Sequence, residues 1–424
     1  MSAPPSSVTG AASAYLFAQD LHDEGIDPVL DRLQGAGLNG AIMAAAYHHA
    51  RDVFPHNPQH KVIYLEGGAV FFHPDPGRYG GTRLQPHVAA LAREADPLAT
   101  LVETAARRSM RVGGWVVFLH NSRLAFQHPD CAPVNAFGDP LLNSLCPAHP
   151  EVRAFARALG SDVARYHLHT IQLEALSYMP FDHGYHHERS FIRLSPNVRF
   201  LLGLCFCTHC LAAARAAGVD GERVRERVRA AAGAVFESAA NETQEPDVEE
   251  RALRADGDGE LGRYLDVRQT VVTSLVEEVV AAIHAESPET RAVFLDPSGA
   301  TLGYATGRPA TERSAASIAW RDGVDLAVVA GASDGLGILA YFADLERFER
   351  EVGAYQRVLP VGRSLEALLR PMLPDAESPR VLAAKITSLR QMGVRDISFY
   401  HYGFMRLESL DWIRVALGSG VAHA

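Results

Sequence analysis

The chain has 424 residues, 47% of them hydrophobic, and a formal charge of −10 from 50 acidic and 40 basic side chains. That composition supports a large core and argues against nucleic-acid or anionic-membrane partners, because there is no basic field to release counterions. Five cysteines are too few for a disulfide scaffold, and no apolar run approaches membrane-span length, so a reduced, cytoplasmic compartment is expected.

Residues 1–14, which begin MSAPPSSVTG, have no basic n-region and no apolar h-region; they read as a disordered tail rather than a secretory signal. From residue 15 to 424 the chain reads as one domain in which strand-like runs alternate with helical patterns. The first run is Leu16–Asp20, followed by a short helix around Pro28–Leu33 and a second run at Ala41–Tyr47. Val112–His120 and Thr170–Ser177 are the third and fourth runs. Ala292–Asp296, Leu326–Ala330, Gln356–Val361 and Asp396–His401 complete eight. Gly37, Gly323 and Gly393 each read as a helix stop before a strand, where glycine takes a left-handed C-cap without a Cβ penalty. Val152, Phe155, Leu159 and Val163 share one helical face, as do Val272, Leu275, Val276, Val279 and Ile283. Apolar strands alternating with amphipathic helices predict a parallel sheet covered by helices. Eight such units favour a closed (β/α)8 barrel over a doubly wound sheet. Two connections are long, from Tyr47 to about Leu91 after the second strand and from Ser177 to about Leu265 after the fourth. Long loops on that face of a barrel carry function.

Polar residues fall where the strands end: Asp20, His48, His120, Glu174, Asp296, Arg363, His401 and Tyr402. In a barrel these positions converge on one mouth, although any one of them could simply begin a loop. Glu174 interrupts the apolar run Ile171–Leu176. A carboxyl in such a place is costly to ionise, so its pKa rises toward that of a general acid. Asp296 precedes Pro297, which restricts its backbone, and is the candidate second carboxylate. Asp20, His48, His120, His187, Arg363, His401 and Tyr402 are candidate substrate ligands, with Arg363 hinting at an anionic sugar. Cys205, Cys207 and Cys210 form CxCxxC, a spacing that suits three corners of a zinc tetrahedron. A fourth ligand would come from Cys146, Cys131 or His209, and Cys146 is preferred because it follows the third strand onto the same face. The alternative is a set of buried, reduced thiols. No organic cofactor is expected.

Several segments together resemble the catalytic TIM barrels of the glycoside-hydrolase superfamily, and more narrowly a glycosyl-hydrolase-like family. They are YHxxR…PHNP at Tyr47–Pro58, SLCPxxPEVR at Ser144–Arg153, LEALS at Leu173–Ser177 and CFCxxC at Cys205–Cys210. The order cysteine, fourth-strand glutamate, CxCxxC is also similar to the zinc-bearing β-galactosidases of glycoside hydrolase family 42. The resemblance implies that Glu174 is the acid/base carboxylate. It also implies a nucleophile at the end of the seventh strand, where the run ending at Arg363 has no acid. Asp296 is therefore the first choice for that role, with Asp334 and Glu66 behind it.

The leading expectation is a glycoside hydrolase acting on a small-molecule or oligosaccharide substrate. The rivals are a metal-dependent sugar isomerase, epimerase or lyase on the same barrel, and a barrel that binds sugars without catalysis. The oligomeric state, a homo-oligomer included, is left open.

Overall fold

A computed structural model describes residues 10–183, 189–237, 249–255, 257–303, 306–309 and 311–418. Eight parallel strands close on themselves: β1 (Ala12–Leu16), β2 (Gly40–Tyr47), β3 (Arg111–Val117), β4 (Thr170–Glu174), β5 (Arg291–Asp296), β6 (Gly335–Leu339), β7 (Ser364–Leu369) and β8 (Asp396–Phe399). Neighbours in sequence are neighbours in space, and β1 pairs with both β2 and β8. The fold is the (β/α)8 barrel.

A helix follows each strand: α1 (Ile26–Gly35), α2 (Pro97–Arg107), α3 (Pro150–Ala164), α4 (Glu260–Glu286), α5 (Leu326–Ala332), α6 (Leu345–Val358), α7 (Pro379–Gln391) and α8 (Glu408–Gly418). Their starts are written in the sequence. Asp96, Asp344 and Ser378 each accept a backbone N–H of the first turn, and Pro97 and Pro379 occupy the first helical positions, where a missing N–H costs nothing.

Three strands differ from the sequence reading. The first is Ala12–Leu16, so the barrel starts at Ala12 and Asp20 belongs to the helix Ala18–Glu24. The run Leu326–Ala330 is α5, capped by Asp325, whose carboxylate accepts from the Ala327 and Val328 amides. Gln356–Val358 ends α6. A short apolar run is ambiguous between strand and buried helix, and here the cap decides. The true β6, Gly335-Leu336-Gly337-Ile338-Leu339, hides behind two glycines. A Cβ on Gly337 would lie 2.9 Å from Leu295 and 3.2 Å from the Gln172 amide oxygen, so the glycine makes room for inward side chains of neighbouring strands.

Both long connections are present. After β2, a hairpin (Ala50–Val53 with Val62–Leu65) precedes α2. After β4, the helices Pro196–Leu202, Thr208–Ala216, Gly221–Glu237 and Glu250–Ala255 lead to α4. They bury Val198, Leu201, Leu204, Val224 and Val228 with Tyr264 and Trp320 in a second core beside the barrel. Among the described residues no helix is long and apolar enough to cross a membrane.

Candidate active site

A cavity of about 380 Å³ opens where the strands end, a size suited to a small ligand. Its wall takes residues from the C-terminal ends of six strands: Tyr47, Trp115, Glu174, Leu295, Leu339 and Leu368. Tyr341, Tyr400, Tyr178 and Met179 add further apolar surface. A bulge in β2 between Ala44 and Ala46 re-aims its last residues, and the Tyr47 ring packs 4.6 Å from Trp115.

Glu174 ends β4 with its carboxyl in this cavity, and the Trp115 indole N–H donates to it. Burial pushes its pKa up to about 7, with the indole pulling the other way. That lift toward neutral pH is what a general acid requires. The next residue, Ala175, has φ +52°. A non-glycine residue in the left-handed region stores roughly 1–3 kcal/mol, a strain that clusters at functional sites.

Two further carboxyls line the cavity, and sequence reasoning passed over both. Asp322, 8% exposed, lies on the segment between β5 and α5. Its pKa is pushed up to about 7 by burial and then by Asp296, against Arg268 and Arg321. Asp52 comes from the hairpin, and burial alone raises it to about 6. Imidazoles form the opposite wall. His48 stacks on His120 at 4.4 Å, and His183 stands 5.2 Å from His120. His48 Nδ1 donates to the His49 carbonyl at 2.8 Å. His120 is 3% exposed, and its Nε2 has no hydrogen-bond partner among the described residues. Burial lowers its pKa to about 2, with His48, His183 and His49 adding to the effect. His187 lies outside the described residues.

Five residues expected at the mouth stand elsewhere. Asp296 faces the helical layer, where its carboxylate accepts from the Tyr355 hydroxyl of α6 at 2.5 Å and from Ser298. Strand alternation explains this: Leu295 points into the cavity, so Asp296 cannot. Arg363 precedes β7, at the opposite end of the barrel, and holds the Gly331 carbonyl at 2.7 Å and Asp334 at 3.7 Å. Asp20 accepts from the Phe17 amide at 2.8 Å as a helix cap. His401 is fully buried, its ring 4.2 Å from Phe17, and its Nδ1 accepts from the Gly403 amide. The Tyr402 hydroxyl accepts from Arg32 and donates to Glu24. The reserve acids fare no better, since Asp334 bonds His284 and Glu66 bonds His87.

The seventh strand also needs correction. Ser364–Leu369 does carry an acid, Glu366, but in mid-strand. Its carboxyl accepts from Gln172 at 2.7 Å and from Ser398, a layer inside the barrel. At the strand's end stands Arg370, which holds Asp375 through two bonds of 2.6 and 2.8 Å.

Cys146, Cys205, Cys207 and Cys210 meet in one buried cluster. Cys146 Sγ lies 3.8, 3.6 and 3.6 Å from the other three sulfurs. Four thiolates bound to zinc at about 2.3 Å would stand about 3.8 Å apart, so the cluster could hold that ion. Cys131 and His209 stay outside; Cys131 groups with Asp130 and His149 instead. Among the described residues these two are the groups of three or more metal-type side chains within bonding reach, and neither lines the cavity. Tyr178 joins cluster to cavity, its hydroxyl 3.2 Å from Cys210 Sγ.

No family model matches the chain, and no curated protein matches it. Solved structures do. The α-L-fucosidase isoenzyme 2 of Paenibacillus thiaminolyticus superposes with a TM-score of 0.56 at 13% identity, over 97% of this chain and 49% of that one. The β-galactosidase of the haloarchaeon Halorubrum lacusprofundi gives 0.54 at 12% identity, over 96% and 57%. That of Bacillus circulans sp. alkalophilus gives 0.54 at 10% identity, over 97% and 55%. The chain thus shares its fold with the barrels of glycoside hydrolases and spans about half to three-fifths of their length.

Proposed function

We propose that the barrel is a glycoside hydrolase with Glu174 as general acid and Asp322 as the second carboxylate. The observation that carries this reading is the Glu174 carboxyl at the end of β4, facing an aromatic cavity, with its pKa raised by burial. A proton from Glu174 would pass to the glycosidic oxygen as the bond to the anomeric carbon breaks. The positive charge that develops on the sugar would be met by the Asp322 carboxylate, as base toward a water or as nucleophile. The rings of Trp115, Tyr341 and Tyr400 would stack on the sugar face, and His48 and His120 would exchange hydrogen bonds with its hydroxyls.

The four cysteines fit a structural zinc. Bound there, the ion would fix the excursion after β4 and leave no open position for substrate. A panel of aryl and natural glycosides tests the reading: hydrolysis of at least one, lost in Asp322→Asn, supports it. Binding without turnover across the panel would favour a non-catalytic sugar-binding barrel.

A further inference from the structure

Two carboxylates suffice for glycoside cleavage, which leaves Asp52 without a role. Its place is specific. The hairpin strand Ala50–Val53 alternates, so Arg51 and Val53 face solvent together with Val62 and Tyr64, while Asp52, opposite Ile63, turns inward to the cavity. Asp52 Oδ2 is buried and has no hydrogen-bond partner among the described residues. Among the described residues no salt bridge reaches Asp52, and its burial raises its pKa. A carboxylate in that condition gains most from an ion pair.

The rest of the wall supplies none. Among the described residues neither lysine nor arginine lines the cavity. Arg268, seated over the Tyr178 ring, and Arg321 act on Asp322, and Arg370 is committed to Asp375. Burial lowers the pKa of both His120 and His183, so it works against a positive charge on either ring. Asp52 therefore faces a space walled by the rings of Tyr47, Trp115, Tyr341 and Tyr400, with no cationic side chain among its described lining residues other than the imidazoles. Such rings attract cations through their faces. His120, buried with an open Nε2, provides the neutral polar contact that a sugar hydroxyl needs.

We propose that the cavity selects a sugar bearing a protonated amine, with Asp52 as the partner of the ammonium group. The proposal rests on the reading of this cavity as a sugar site and names the class of sugar. It also reverses the hint of an anionic substrate drawn from Arg363, which stands at the other end of the barrel.

Calorimetry on the intact protein at pH 7 tests it. The probes are glucosamine and galactosamine, their N-acetyl derivatives, glucose, galactose, and glucuronate and galacturonate. At least one free amino sugar should bind tenfold or more tightly than its neutral parent and its N-acetyl form, and the uronates should bind worst. In Asp52→Asn that ratio should fall close to one. Equal or tighter binding of the neutral or uronate member of each set would overturn the proposal, as would no measurable binding of any probe at about 10 mM. A ratio that persists in Asp52→Asn would remove Asp52 from the assignment. Amine selectivity without hydrolysis of any glycoside would defeat the hydrolase reading alone. Hydrolysis with no amine preference would defeat this proposal alone.

Discussion

Glu174→Gln should make the protein more stable, and more so as the pH rises. Folding lifts the Glu174 pKa from 4.5 to about 7. The folded state thus holds a proton over a range where the unfolded chain has released it. For a carboxyl whose folded pKa is raised, the cost of folding is absent below about pH 4.5, grows between 4.5 and 7, and is complete above 7. The difference of 2.5 units is worth about 3 kcal/mol at pH 8 and about 1 kcal/mol at pH 5. Glutamine carries no charge to desolvate, and its carbonyl can still accept from the Trp115 indole. Asp322 and Asp52 have raised values too, but they are common to both proteins and cancel in the comparison. Urea denaturation of the two proteins across pH 5–8 reads the effect. Their stability difference should widen by about 2 kcal/mol over that range, with the variant ahead. A gap that stays constant with pH, or a wild type more stable at pH 8, would refute the claim that burial governs this carboxyl.

Asp322→Asn and Asp296→Asn should separate cleanly. The first should lower kcat by about 10²–10⁴ and, because burial raises the Asp322 pKa as it does that of Glu174, should not lower stability at neutral pH. The second weakens the buried bond to Tyr355 and should cost about 1–3 kcal/mol in urea titration while leaving kcat within a few-fold. Trp115→Phe keeps an aromatic wall but removes the donor to Glu174. The alkaline limb of the pH–rate profile, which reports loss of the acid's proton, should move up by roughly 1–2 units, the worth of a hydrogen bond to a charged group. Elemental analysis should find one zinc per chain, and prolonged chelation should lower Tm, because the metal stabilises only the folded cluster. Metal-free protein with an unchanged Tm would leave the four cysteines as buried thiols.

The barrel was legible because its signal is repeated and local. The strands at Ala41–Tyr47 and Ala292–Asp296 announce themselves by continuous apolar runs, and the long helices by their stripes. β6 and β7 were not legible in the same way. β6 follows a helix as apolar as a strand, and each of the two has an interior that breaks the aliphatic pattern, Gly337 in one and Glu366 in the other. Those residues answer to partners across the barrel, Gln172 and Ser398, that no local window contains. The position of Glu174 could be read from its interruption of a buried strand. Asp296 could not, since one residue of strand parity decides between cavity and helical layer. Asp322 and Asp52 sit on connections whose path depends on the tertiary fold, so no local window places either carboxyl in the cavity. The fourth cysteine of the cluster was reachable from topology, because Cys146 and the CxCxxC segment both follow strands that end on the same face.

The central claim is that Glu174 delivers a proton to the leaving group. It is tested most directly by comparing Glu174→Gln with wild type on two aryl glycosides of the same sugar. One should have a poor leaving group such as phenol and the other an activated one such as dinitrophenol, which departs without protonation. The account predicts that kcat/KM on the phenyl glycoside falls by about 10²–10⁴ in the variant, whereas that on the dinitrophenyl glycoside stays within about tenfold of wild type. Equal losses on both substrates, or no loss on either, would contradict it.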